Sequence, residues 1–210
     1  MSNIFEKHSK IYDAWYDKYR FAYLSELKVL KKVIPKQGKS LEIGVGTGRF
    51  ASVLGINLGI DSSYEMIEIA RQRGVAARWG FGEDLPFFNS TFNLVAIIVT
   101  LSFVNNPLKV LQEARRVLED DGKLVVGIID KNSFLGKFYQ TKKSIFYKKA
   151  DLFTVERLRN LLKIAGFRQF SCWQTIFKLP SEIDSLEKPR KGFGKGGFVV
   201  INVNNSRDNS

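Results

Sequence analysis

Between residues 40 and 130, short apolar runs alternate with segments whose apolar side chains recur at helical spacing. The pattern predicts strands at 40–45, 56–61, 75–80, 92–100 and 123–129, with helices at 47–54, 62–73 and 107–119. Strands that alternate with helices favour a parallel sheet with helices on both faces. The run over 92–100 is almost wholly apolar, which is typical of a strand buried on both faces.

The flanking segments complete the predicted domain. Apolar runs at 167–177 and 196–203 predict a closing antiparallel hairpin, which brings the sheet to seven strands. We therefore expect an α/β fold with a mostly parallel seven-stranded sheet and an antiparallel C-terminal hairpin. A single domain over 1–204 is expected to comprise a helical cap, a core, and an insert with the hairpin, at 1–37, 38–130 and 131–204. The tail at 205–210 is expected to be disordered.

Length and composition restrict the class of protein. A chain of 210 residues, 44% of them hydrophobic, is long enough for one domain with a sizeable core. No apolar run approaches the ~20 residues of a membrane helix, and the start of the chain lacks the apolar stretch of a signal peptide. A cytoplasmic protein is therefore expected. The single Cys172 excludes an intrachain disulfide and a cysteine-based zinc site, and no metal site is predicted.

A glycine-rich turn follows the first predicted strand, in the stretch SLEIGVGTGRF over 40–50. Gly44, Gly46 and Gly48 would let a ligand approach the backbone closely, and the helix that follows would offer free N–H groups. The dinucleotide fingerprint G-x-G-x-x-G/A fits poorly, because Arg49 occupies its sixth position. A phosphate-binding P-loop fits worse, since no G-K-[ST] follows. The turn therefore indicates a ligand without a pyrophosphate.

Two acidic residues near the glycines sharpen the choice of ligand. Asp61 ends the second predicted strand, where a carboxylate can accept hydrogen bonds from a ribose diol. Glu42 lies within the first strand, where a buried carboxylate requires an ammonium group or backbone donors nearby. A nucleoside joined to an amino acid, bound without phosphates, satisfies both positions. S-adenosylmethionine is such a compound.

Four ordered motifs resemble those of the class I S-adenosylmethionine-dependent methyltransferases. They are LEIGVGTGRF, GIDSSYEMIEIAR, EDLPFFNSTFNLV and LKVLQEARRVLEDDGKLVV, which together span roughly 38–130. The chain is most similar to the type 11 methyltransferases, which resemble those of menaquinone biosynthesis. The resemblance implies a Rossmann-like sheet with a cofactor-binding core. It also implies in-line transfer of a methyl group from S-adenosyl-L-methionine to a small-molecule acceptor.

The resemblance assigns the glycine turn and both acids to the cofactor. Gly44, Gly46 and Gly48 would line its methionine part. Glu42 would support that turn or bind the amino group, and Asp61 would bind both ribose hydroxyls.

Further roles are implied for residues after the other strands. Ser62 and Met66 would flank the adenine edge, and Thr100 and Leu101 would contact the cofactor near its sulfur. The family usually has Gly-Asp-Ala-Glu before Leu-Pro-Phe, but here Phe81 stands in place of that aspartate. The ring of Phe81 and the backbone N–H of Gly82 would then hold the adenine.

A general base is not identified by the sequence. His8 is the only histidine, and it is either a base carried on a helical lid or a solvated surface residue. Asp130 ends the fifth strand, near the expected acceptor, and capping a turn is the alternative role. Aromatic residues at helical spacing form either a core-facing stripe or a lid over the cofactor, and they are Tyr12, Trp15, Tyr16 and Tyr19. Tyr16 is the candidate base among them.

Charge is distributed unevenly along the chain. The net charge is +5 over 1–40, −3 over 41–130 and +10 over 131–210. The regions expected to face the acceptor are therefore basic, and their cations are Lys131, Lys137, Lys142, Lys143, Lys148, Lys149, Lys188, Arg190, Lys191 and Lys195. This pattern predicts an acceptor that carries carboxylate or phosphate, and the alternative is a solvated lysine-rich surface.

Two other functions are compatible with these features. The basic composition is compatible with an RNA methyltransferase, although the chain lacks the Asn/Asp-Pro-Pro-Tyr tetrapeptide used on amino groups of bases. A protein that binds the cofactor without catalysis is the second alternative, because Phe81 departs from the family pattern and no base is evident. No membrane span is expected, and no oligomeric state is predicted.

Overall fold

The computed structural model describes residues 4–35, 38–141 and 144–205, without the side chain of Lys149. Lys142, Lys143 and residues 206–210 of the tail predicted to be disordered at 205–210 lie outside the described residues. The strands are β1 (Ser40–Ile43), β2 (Leu58–Asp61), β3 (Ala76–Trp79), β4 (Phe92–Ile98), β5 (Leu118–Ile129), β6 (Ser171–Thr175), β7 (Arg190–Lys191) and β8 (Phe198–Asn204). The helices are α1 (Ile4–Lys18), α2 (Arg20–Val33), α3 (Arg49–Leu54), α4 (Tyr64–Gln72), α5 (Pro107–Val117), α6 (Phe134–Thr141) and α7 (Val155–Ile164).

All the strands belong to one sheet, in the order β3-β2-β1-β4-β5-β8-β6-β7. The first five strands in this order, β3, β2, β1, β4 and β5, run parallel to one another. β8 pairs antiparallel with β5 and with β6, and β7 pairs antiparallel with β6. The predicted mostly parallel α/β fold with an antiparallel C-terminal hairpin is confirmed. The predicted number of seven strands was wrong by one, because β7 is a two-residue edge strand beside β6. Two residues are too few to produce an alternating pattern in the sequence.

Helices cover both faces of the sheet, as predicted. Side chains on β4 alternate between the faces, so Leu94 and Ala96 pack in one cluster with α1 to α4, whereas Val95 and Ile97 pack in the other with α5 and α7. A helix that the sequence analysis did not predict, α6, lies in the Lys-rich insert. It is only eight residues long and buries Leu135 and Tyr139.

The parallel strands bring their carboxyl ends to one edge of the sheet. The glycine turn follows β1, Asp61 ends β2, and Thr100 lies just beyond β4. Residues far apart in the chain therefore meet at this edge, where ligands bind in open α/β sheets. Within the described ranges, no helix is both long and apolar enough to cross a membrane.

Candidate active site

The three glycines of the turn all have positive φ, but their surroundings differ. A Cβ on Gly44 would lie 2.2 Å from Thr100 Cγ2, and a Cβ on Gly48 would lie 3.0 Å from the Cα of Ala70 on α4. A Cβ on Gly46 would meet only the Tyr12 ring, at 3.9 Å. Gly44 and Gly48 therefore allow close packing of the protein on itself, whereas Gly46 leaves backbone open to a ligand.

The carboxylate of Asp61 holds the open part of this turn. The backbone N–H of Gly46 donates to Asp61 Oδ2 at 2.9 Å, and that of Ser63 donates to Oδ1 at 3.0 Å. Burial raises the pKa of Asp61, and these backbone bonds oppose the rise. Each carboxylate oxygen can accept a further hydrogen bond, so Asp61 can bind a diol while it anchors the turn.

Glu42 is buried in the middle of β1, beneath the glycine turn. Its side chain is 1% exposed, and its Oε2 accepts no hydrogen bond from any described residue. Burial raises the pKa of Glu42, the charge of Asp61 raises it further, and a hydrogen bond with the Ala51 backbone opposes both. An unsatisfied buried carboxyl oxygen is costly, so a ligand that donates to it would be stabilised.

Aromatic rings surround the ends of β2 and β3. Trp79 Nε1 donates to the Ser62 carbonyl at 3.1 Å, and Tyr64 stacks on Trp79 with centroids 5.7 Å apart. Phe81 meets Trp79 edge to face at 5.2 Å and is 40% exposed. The sequence analysis identified Phe81 but missed Tyr64 and Trp79, although the spacing of Trp79 and Phe81 is visible in the sequence.

Other residues assigned to the adenine side are packed into the protein. Met66 is 1% exposed and donates its backbone N–H to the Ser63 side chain that caps α4. Gly82 lies against the core, where a Cβ would come within 2.7 Å of Ile43 Cγ2. These two positions therefore shape the floor of the site.

The segment after β4 carries backbone strain. Val99 has a φ of 58°, which is unusual for a β-branched residue and costs on the order of 1–3 kcal/mol. Its neighbour Thr100 donates its hydroxyl to the Gly44 carbonyl at 3.2 Å. The side chain of Leu101 packs in the core with Val110 of α5. Thr100 and Val99 therefore line the carboxyl edge, and the Leu101 side chain does not.

A cavity of about 340 Å³ lies beside the glycine turn and above the ends of β4 and β5. We call it the aromatic cavity, because most of its wall consists of rings. It is lined by Ile11, Tyr12, Trp15, Tyr16, Glu26, Val99, Phe103, Ile129, Tyr139 and residues 144–147. Three members of the predicted aromatic stripe on α1 line it, namely Tyr12, Trp15 and Tyr16. All four rings of the stripe also pack on the hydrophobic core. The stripe therefore faces the core, as one alternative predicts, and it forms a wall of the cavity as well.

The three candidate bases occupy different environments. Tyr16 lines the cavity, and its hydroxyl bonds to that of Tyr12 at 2.8 Å. Burial raises the pKa of Tyr16 well above its usual range, so its phenol stays neutral. His8 lies at a kink in α1 and against Phe146, outside the cavity lining. Asp130 accepts from the Asn132 backbone at 3.3 Å, which is a turn-capping position, and it lies outside the lining as well.

Glu26 of α2 is an acidic residue of the cavity that the sequence analysis missed. Its side chain is 4% exposed, and burial raises its pKa to about 8. It shares the buried face of α2 with Tyr23 and Leu30, at intervals of three and four residues. A carboxyl on the apolar face of a helix was the signal that could have identified it.

Glu26 should make the stability of the ligand-free protein depend on pH. Its pKa is about 8 in the folded protein and 4.5 as its ordinary value, so the folded state retains a proton that the unfolded state loses between these values. The stabilising contribution is complete below 4.5 and is lost as the pH rises to about 8, at ~1.4 kcal/mol per pH unit. We expect Glu26→Gln to lose less stability than the wild type across this window in urea unfolding.

Glu68→Gln is the matched control for this experiment. Glu68 is 63% exposed and pairs with Arg71, so its replacement should leave the pH profile unchanged. Parallel profiles for the wild type and Glu26→Gln would contradict the expectation.

Partly buried ion pairs tie α1 to the glycine turn, through a group that we call the Asp13 cluster (Asp13, Thr47, Arg49 and Arg73). Arg49 Nη2 and Arg73 Nη2 each lie 2.7 Å from Asp13 Oδ2, and Thr47 Oγ1 donates to Asp13 Oδ1 at 2.6 Å. Burial raises the pKa of Asp13, but these hydrogen bonds more than offset it and hold the pKa below its usual range. Arg49 therefore fixes α1 on the turn.

Asp13→Asn should destabilise the protein by about 1–3 kcal/mol, because it leaves two arginines with an uncharged partner. Asp17 is the matched control, since it also pairs with Arg49 but is 71% exposed. Urea unfolding of Asp17→Asn should give little change. Equal losses of unfolding free energy in the two variants would refute the role of the Asp13 cluster.

The arrangement agrees with the comparisons with known proteins. A family model described as a methyltransferase domain matches residues 41–126. The chain is 46% identical over 203 residues to an uncharacterized protein of Methanocaldococcus jannaschii, covering 96% of this chain and 98% of that protein. Over 112 residues it is 32% identical to demethylmenaquinone methyltransferase of Thermotoga maritima, covering 48% of this chain and 49% of that protein.

A solved structure from Thermotoga maritima is similar over the full length. It is described as an S-adenosylmethionine-dependent methyltransferase, possible histamine N-methyltransferase. It has a TM-score of 0.95 and 45% identity, and the match covers 98% of this chain and 100% of that chain. Together with the family model, these similarities show that the chain belongs to the class I S-adenosylmethionine-dependent methyltransferases of the type 11 family.

Proposed function

We propose that the protein transfers a methyl group from S-adenosylmethionine to a small molecule bound in the aromatic cavity. One observation carries the proposal: the buried carboxyl of Glu42 and the half-buried carboxyl of Asp61 flank a glycine backbone that opens onto the cavity wall. When bound, S-adenosylmethionine supplies a methyl group activated by its sulfonium.

The residues at the glycine turn fit the methionine and ribose parts of this cofactor. We assign the ribose hydroxyls to Asp61, whose oxygens are fixed by Gly46 and Ser63. Glu42 has an oxygen without a partner among the described residues, which suits an ammonium group or a donor that orders the turn. Gly44 and Gly48 would hold the turn in shape, and Gly46 would face the ligand.

The remaining assignments concern adenine and the sulfur. Ser62 would border adenine, and the exposed ring of Phe81 would contact it where the family has an aspartate. Met66 and Gly82 would form the floor beneath it. Thr100 and the backbone of Leu101 would lie near the sulfur, because Thr100 bonds to the Gly44 carbonyl.

The chain can position an acceptor beside the cofactor and exclude water from it. Holding the acceptor atom in line with the methyl group can contribute ~7–11 kcal/mol to lowering the barrier. The rings of α1 close the cavity over this position, and the Asp13 cluster keeps α1 in place. Positioning is therefore the main contribution that we assign to the protein.

The lining of the cavity gives little support to an anionic acceptor. Among its described residues, Glu26 is the one charged type, and neither Lys nor Arg occurs in the lining. Lys131, Lys137 and Lys148 of the insert are exposed, as are Lys188 and Lys195 of the last loop. We therefore favour a compact, neutral or cationic acceptor, and assign the lysines to the solvated surface.

The test is an acceptor screen with labelled S-adenosylmethionine, preceded by calorimetry of cofactor binding. The screen would contain amines, phenols, thiols and carboxylates with small apolar bodies, since a relative is described as a possible histamine N-methyltransferase. We expect cofactor binding and methylation of at least one compact acceptor. Labelling of RNA with a steep salt dependence would favour the RNA alternative, and binding without any turnover would favour a non-catalytic protein.

A further inference from the structure

Glu26 is buried in the aromatic cavity without a partner. The residue is 4% exposed and lines the cavity, and no hydrogen bond or ion pair to its carboxyl is found in the described ranges of the chain, where burial is the cause of its raised pKa. A buried carboxyl that lacks a partner is unfavourable, and a positively charged ligand would relieve the penalty. The methyl transfer described above assigns no role to this group.

Aromatic rings enclose the same space. Tyr139 and Tyr147 stack on each other with centroids 4.2 Å apart, and Tyr12 and Tyr16 of α1 line the same cavity. The faces of such rings attract cations, especially in a site from which water is excluded. A carboxylate among rings is a suitable environment for an ammonium group.

The tyrosines do not compete with Glu26 as charged groups. Burial raises the pKa of the Tyr12, Tyr16, Tyr139 and Tyr147 phenols, and the charge of Glu26 raises each of them further. These phenols therefore stay neutral, and Glu26 is the acidic side chain that the described lining presents to a ligand.

We propose that the acceptor is an amine, and that Glu26 binds its ammonium group among the rings and accepts the proton that the nitrogen must lose. The proposal rests on the proposed function and specifies its substrate class. Apolar side chains complete the lining, at Ile11, Val99 and Ile129. They suit an amine with an apolar or aromatic body.

The proton transfer makes the nitrogen nucleophilic. Glu26 holds a proton in the ligand-free protein, and it first releases that proton to solvent as the ammonium group binds. An N–H bond of the ammonium then breaks, its electron pair stays on nitrogen, and the proton forms an O–H bond with Glu26. In the methyl transfer a nitrogen–carbon bond then forms as the carbon–sulfur bond breaks, and the positive charge passes from sulfur to nitrogen. Glu26 then releases this proton to solvent, and the methylated product, which is again a cation, leaves the cavity.

The probes are 2-phenylethylamine and 2-phenylethanol, which differ in the group that Glu26 would recognise. Each would be titrated by calorimetry into the wild type, Glu26→Gln and the surface control Glu68→Gln, with and without S-adenosylhomocysteine. We expect the wild type to bind the amine at least about tenfold more tightly than the alcohol. Glu26→Gln should lose that preference while its affinities for the alcohol and S-adenosylhomocysteine change by less than about twofold, and Glu68→Gln should behave like the wild type.

Several outcomes would overturn the proposal. Equal affinity of the wild type for the amine and the alcohol would do so without any variant, as would a wild type that binds no amine. Retention of the amine preference by Glu26→Gln would exclude Glu26 as its cause. None of these results affects the proposed function if S-adenosylmethionine binds and another acceptor is methylated. Conversely, failure of cofactor binding would refute the proposed function, while titration of the cofactor-free protein would still decide the role of Glu26.

Discussion

Replacement of Asp61 by alanine is expected to weaken S-adenosylmethionine binding by about a hundredfold or more, as measured by calorimetry. The carboxylate is assigned to two ribose hydroxyls, and a hydrogen bond to a charged group contributes roughly 1.5–3 kcal/mol. Loss of two such bonds corresponds to at least about two factors of ten in affinity. The variant also removes the acceptor for the Gly46 N–H, which loosens the turn that borders the ligand.

Two further variants make this result specific. Asp61→Asn keeps one acceptor oxygen in a side chain of the same size, so an intermediate loss of affinity is expected. Asp184→Ala removes an exposed carboxylate whose side chain bonds to the neighbouring Ser185, and it should leave the affinity unchanged. Wild-type affinity in folded Asp61→Ala would refute both the ribose assignment and the cofactor site built on it.

Gly44→Ala is expected to give the largest loss of stability, on the order of 3–4 kcal/mol in urea unfolding. The substitution adds a Cβ at 2.2 Å from Thr100 Cγ2 and 2.3 Å from its Oγ1, at a φ of 71°. The left-handed backbone costs an alanine roughly 1–2 kcal/mol, and overpacking adds roughly 1–3 kcal/mol. The clash would also displace the Thr100 side chain, which weakens the hydrogen bond that its hydroxyl donates to the Gly44 carbonyl.

Gly55 provides a matched control for the steric part of this effect. Its φ is 73°, nearly the same as that of Gly44, but a Cβ at Gly55 would meet no atom within 4 Å. Gly55→Ala should therefore carry the backbone penalty alone, roughly 1–2 kcal/mol. The difference between the two variants measures the close approach of β1 and the segment after β4. If the two losses are the same, Thr100 does not constrain Gly44.

The central sheet could be predicted because each of its buried strands carries its own pattern. The apolar run of β4 and the capped, periodic segment of α4 are both recognisable within about ten residues. β7 could not be predicted, because two residues become a strand only through pairing with Trp173 and Gln174. The short α6 was missed for a related reason, since its eight residues lie among lysines and are too few for a helical period to be recognised.

The candidate site divides in the same way. The glycine turn, Glu42 and Asp61 belong to local motifs, so their meeting at the sheet edge followed from strand order alone. The aromatic cavity instead gathers residues from α1, α2, α6 and the segment after β4. From the sequence, Arg49 indicated only that the dinucleotide fingerprint fits poorly. Its pairing with Asp13, 36 residues earlier, depends on tertiary structure that no local pattern encodes.

The Asp13 cluster has a consequence for how this enzyme can change its preference for substrates. The helix that supplies Tyr12 and Tyr16 to the cavity is also tied to the glycine turn, so changes to that helix would disturb both the cavity and the turn that we propose binds the cofactor. Tyr139 and Tyr147 line the same cavity but are not members of the cluster. Substitutions of these two tyrosines can therefore change the preference for acceptors without disturbing the glycine turn.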